Sequence, residues 1–129
     1  MKRFAYAAVM LIVLGVVLTG CRGERLSLDE LLNRGVNAAQ SGDWEAAKDF
    51  GSRAVKVAPS NVNALILYAL SLENTGDADA ALGEISKAVS IDEANYFAQY
   101  TKGRLFYEKK RFESCIAPLR AALNLRPDA

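Results

Sequence analysis

Histidine is absent from the 129 residues, which removes His-based triads, His-containing zinc sites and the commonest general base near neutral pH. Cysteine is scarce: Cys21 and Cys115 supply at most one bridge and no disulfide framework. Neither sign of charge dominates, with 16 Lys and Arg against 15 Asp and Glu. A basic surplus that would draw in nucleic acid is therefore lacking, and so is an acidic tail. The run Lys109-Lys110-Arg111 is too short to argue for nucleic acid. The length leaves room for one small domain. No nucleophile with a base, phosphate-cradling loop or set of metal ligands assembles from what remains. The chain reads as a non-enzyme that needs no cofactor and no metal.

What is present begins with an address. Met1-Lys2-Arg3 is a short positive stretch, and an apolar run from Phe4 to Leu18 follows it. That is the pattern of an export signal, and the run is short of the roughly 20 residues that cross a bilayer comfortably. It ends at Leu18-Thr19-Gly20-Cys21, which resembles the lipobox of bacterial lipoproteins. The resemblance implies a signal peptide over 1–20, a diacylglycerol on the Cys21 thiol, and a lipidated cysteine with a short linker over 21–27. At ~0.8 kcal/mol per buried CH₂, one acyl chain holds marginally and two or more hold stably. Arg22 stands where an inner-membrane retention signal would place aspartate, so the implied location is the outer membrane, facing the periplasm. If Cys21 carries lipid, Cys115 is a buried free thiol.

The rest of the chain repeats every 34 residues without gaps. Small residues keep that step at Gly35, Ala69 and Gly103, at Ala54, Ala88 and Ala122, and at Ala47, Ala81 and Cys115. Bulky apolar residues keep it at Val57, Ile91 and Leu125. Gly42-Asp43-Trp44 returns as Gly76-Asp77-Ala78 and then, altered, as Lys110-Arg111-Phe112. Each period carries two amphipathic stretches, which predicts helices over 28–41, 44–58, 62–75, 78–91, 96–109 and 112–125. Ser27 with Glu30 forms a capping-box signature before the first. Short identical turns imply antiparallel neighbours stacked into an all-α solenoid.

These features resemble the tetratricopeptide repeat (TPR), with units over 28–61, 62–95 and 96–129. The resemblance implies a right-handed solenoid after the signal helix. Departures are visible. Leu31, Leu65 and Gln99 replace the aromatic near the start of each repeat, Gly51 stands where a bulky residue is usual, and the third turn has lost its glycine. The closing helix usual in the family is missing after Arg126-Pro127-Asp128-Ala129, which would leave Ile116, Leu119 and Leu123 partly uncovered. A truncated chain, a partner or self-association with a second copy would each account for that.

In the family, the first helix of each repeat lines a concave groove that takes a peptide or a partner helix. The resemblance and helical spacing place Asp29, Leu32, Val36 and Gln40 there from the first repeat. Asn63, Ile66, Leu70, Glu73 and Asn74 follow from the second, and Phe97, Tyr100, Arg104, Tyr107 and Glu108 from the third. Aromatics flanking an arginine are strong interface residues, and a partner's carboxylate on Arg104 would use them together. The Lys and Asn clamp of chaperone-binding members is replaced by Leu32, Val36, Leu67, Phe97 and Thr101. Charge is uneven: the three units carry −1, −5 and +4. This asymmetry suits either a partner's surface or attraction between neighbouring repeats. The implied function is a lipid-anchored scaffold or assembly factor binding another envelope protein, or else a regulatory subunit of an envelope enzyme complex.

Overall fold

The computed structural model describes residues 25–128. The signal segment and Cys21 lie outside the described residues. Six helices follow one another: α1 (Leu28–Gln40), α2 (Trp44–Val57), α3 (Val62–Asn74), α4 (Ala78–Ile91), α5 (Tyr96–Glu108) and α6 (Phe112–Leu125). The first helix of each pair has 13 residues and the second 14. Every boundary lies within one residue of the periodicity's expectation. No helix among the described residues is long and apolar enough to cross a membrane.

Side-chain caps explain where the helices start. Ser27 and Glu30 form the full capping box: the Ser27 N–H donates to Glu30 Oε2 at 2.8 Å, and the Glu30 N–H donates to Ser27 Oγ at 3.3 Å. The Ser27 N–H and the Ser27 hydroxyl, the latter at 3.1 Å, both donate to the Glu30 carboxylate and hold it below its ordinary value. Asp43, Asn61, Asp77 and Asn95 each accept the N–H three residues on, at 3.0–3.1 Å. Arg111, at the head of α6, offers no such oxygen.

The turns inside each pair need one left-handed residue. Gly42 and Gly76 supply it at φ +82° and +94°, where glycine carries no Cβ penalty. The third turn keeps the same backbone without the glycine: Lys110 takes φ +58°. The period was therefore retained at the expense of local strain, of order 1–2 kcal/mol for a residue with a Cβ.

Packing follows the small residues. Ala47, Ala54, Ala81 and Ala88 are fully buried, with Cys115 and Ala122 nearly so. Cys115 forms no disulfide among the described residues. Leu65, Leu72, Ile85 and Leu105 make the central core, and Leu31 with Ala54 and Ala64 a smaller one at the N-terminal end. The departure at Gly51, where a bulky residue is usual, leaves no gap: a Cβ there would stand 3.0 Å from Tyr68 Cα, so the missing side chain lets α2 meet the α3 backbone. Gln99, where Leu31 and Leu65 are apolar, is also buried, and its amide donates to the Glu93 carbonyl at 3.0 Å.

Candidate functional site

The first helices of the pairs, α1, α3 and α5, present equivalent positions 34 residues apart. Leu32, Ile66 and Tyr100 form one such row, Val36, Leu70 and Arg104 another, and Asp29, Asn63 and Phe97 a third. On α1 and α3 this face forms an open groove of about 770 Å³. Leu32, Val36, Ile66, Leu67 and Leu70 line it with apolar surface, and Asp29, Asn33, Asn37, Gln40 and Asn63 add polar groups. Trp44, at the head of α2, also contributes. Gly35 sets the groove's depth: a Cβ there would lie 2.5 Å from Leu67 Cδ2, so its absence lets α1 close down on α3.

Of the residues singled out from the sequence, Asp29, Leu32, Val36, Gln40, Asn63, Ile66 and Leu70 line this cavity. Glu73, Asn74, Phe97, Tyr100, Arg104, Tyr107 and Glu108 do not. Leu67, named at a clamp position, lines it too, and Asn33, Asn37, Ala39 and Trp44 were missed. The lone tryptophan, set in the first turn, was the available signal.

The third pair is organised differently. Phe97, Tyr100 and Tyr107 are about half exposed, and they are spread along α5. Tyr100 stacks on Tyr96 with ring centroids 6.0 Å apart, while Tyr107 meets Phe112 edge-on at 5.5 Å. Arg104 is already engaged. Its guanidinium takes both Glu73 oxygens, Nη2 donating to Oε2 at 2.7 Å, and Nη1 also donates to Glu108 Oε1 at 2.7 Å. Glu73, more than Glu108, raises the Arg104 pKa and fixes its charge. A partner's carboxylate would therefore have to displace two resident ones. Lys109 pairs with Asp79 at 2.5 Å. Both Arg104–Glu73 and Lys109–Asp79 join the basic third pair to the acidic second, so part of the charge asymmetry acts inside the molecule.

This is the fold of the tetratricopeptide repeat. The chain is similar to the TPR domain of Arabidopsis OM64, with TM-score 0.75 and 24% identity over 79% of this chain and 84% of that one. It is similar to the TPR2B domain of yeast Sti1 in complex with pHsp70, with TM-score 0.73 and 20% identity over 79% and 82%. Similarity extends to the Thermobaculum terrenum O-GlcNAc transferase, with TM-score 0.74 and 31% identity over 78% of this chain. The chain spans about a fifth of that transferase, 19% of its length. We find no protein family whose sequence profile matches the chain and no curated protein that resembles it in sequence. Among the described residues of this TPR array, no group of three or more acidic or cysteine side chains could hold a metal ion.

Proposed function

We propose that this chain is a lipid-anchored TPR scaffold of the bacterial cell envelope that binds another envelope protein through the groove on α1 and α3. The observation that carries the reading is the groove itself: a largely apolar cavity with carboxamides at Asn33, Asn37, Gln40 and Asn63. Apolar surface supplies affinity for a peptide's side chains, and carboxamides can pair with its backbone from both sides of the hydrogen bond. The exposed Phe97 and Tyr100 extend the same rows onto α5 and lengthen the surface available to a ligand. A peptide held there fits the company of the yeast Sti1 domain, although the clamp positions here are apolar or hydroxyl-bearing. Anchoring rests on Leu18-Thr19-Gly20-Cys21 and the apolar run before it.

A photo-crosslinker at Val36 in intact cells tests the groove. It should capture a discrete envelope protein, and Ile66→Glu in the same chain should reduce the capture at least tenfold while helix content stays unchanged. Capture that is indifferent to Ile66→Glu would refute the groove as the binding surface. Mass measurement of the mature N-terminus tests the anchor: a diacylglyceryl-modified Cys21 is expected, and an unmodified cysteine ends that part of the reading.

A further inference from the structure

The last described helix carries an apolar stripe that no other helix covers among the described residues, although Phe112 also meets Tyr107 and Leu119 packs on Gly103 of α5. Phe112, Ile116, Leu119 and Leu123 are spaced by four, three and four residues, which aligns them along one side of α6. Phe112, Ile116 and Leu123 are 55%, 53% and 56% exposed. One period earlier, Leu82, Ile85 and Val89 on α4 belong to the central core or pack against it. At Ile116 and Leu123 the side of the helix that is covered one period earlier is open among the described residues.

The charges beside the stripe indicate what covers it. Glu113 and Arg120 lie seven residues apart along one flank, both exposed, and neither makes an ion pair among the described residues. Two antiparallel copies of α6 place Phe112 against Leu123 and Ile116 against Leu119. In that register the shared flank sets Glu113 of each copy beside Arg120 of the other, twice over by the two-fold symmetry. A foreign helix would need to bring this pattern; a second copy has it already. We propose that the chain pairs with itself through α6, as a two-fold antiparallel dimer whose register is set by Glu113 and Arg120. The apolar seam supplies the attraction, and the charges favour the antiparallel arrangement, because in a parallel pair the two Glu113–Arg120 flanks lie on opposite sides of the seam and do not meet.

Sedimentation equilibrium of the full chain in a mild detergent tests this. The unaltered chain should contain two copies per particle. Ile116→Asp, Glu113→Arg and Arg120→Glu should each weaken pairing tenfold or more. Glu113→Arg combined with Arg120→Glu in one chain should restore pairing, and so should mixing the two single charge variants, whose flanks are then complementary. A single-copy wild type overturns the proposal, including one that instead retains a different helical protein on α6. So does pairing that ignores all three single changes, or a double reversal that fails to restore it. The charge arms decide the question even if Ile116→Asp misfolds.

Discussion

A methyl group added at Gly51 would stand 3.0 Å from Tyr68 Cα, whereas one added at Gly83 would meet nothing within 4 Å. Both glycines are helical, so alanine should gain roughly 0.5–1 kcal/mol at either from propensity alone. At Gly51 that gain is outweighed, because the neighbour is backbone and cannot rotate away; overpacking of this kind costs ~1–3 kcal/mol. Gly51→Ala should therefore lower the urea midpoint and Gly83→Ala raise it. Midpoints that move in the same direction would contradict this account of α2 and α3. The sequence could not separate the two residues. A glycine inside a helical pattern reads only as a weak point, and what decides its role is a helix more than ten residues further along the chain.

At the scale of the element, the three internal turns form a graded series. The first two combine a left-handed glycine with a capping aspartate, and the third has Lys110 in the left-handed region and Arg111 with no cap. Lys110→Gly removes the Cβ penalty of about 1–2 kcal/mol and adds back ~0.4–1 kcal/mol of unfolded-state entropy. The expected result is a net gain of up to ~1.5 kcal/mol, seen as a higher denaturation midpoint; a lower midpoint would show that the lysine's other contacts dominate. Helix starts and ends were the most legible part of this molecule, because Ser27, Asp43, Asn61, Asp77 and Asn95 act within three residues of themselves. The groove was legible by half. Helical spacing places Leu32 and Val36, or Asn63, Ile66 and Leu70, on one face of their own helix. It says nothing about which of the three such faces encloses a cavity. Nor does it show that Glu73 and Arg104, 31 residues apart, are partners.

In the whole molecule, contacts run mainly between neighbours along the array, so stability is distributed junction by junction. The junction between the second and third pairs adds to the core packing of Ala98 and Leu105 the ion pairs of Arg104 with Glu73 and of Lys109 with Asp79. Glu73 and Arg104 are both largely shielded from water, at 15% and 31% side-chain exposure. Arg104→Met should therefore cost on the order of 1–3 kcal/mol, and the loss should be local. Amide hydrogen exchange should quicken across α5 and α6 and change little across α1 and α2. Uniform acceleration over all six helices would mean that the array opens as one unit. These junctions also restrict how such a protein can lengthen over generations. An extra copy of residues 62–95 inserted after the original would keep the 34-residue step and need no new loop. It would nevertheless set the first Glu73 opposite the second Leu70, the position that Arg104 now fills, and strand a shielded carboxylate. The surviving lineage would have to acquire a cation there or lose the acid. Although their backbones repeat, the units are not interchangeable words: they have a reading order, written at the junctions.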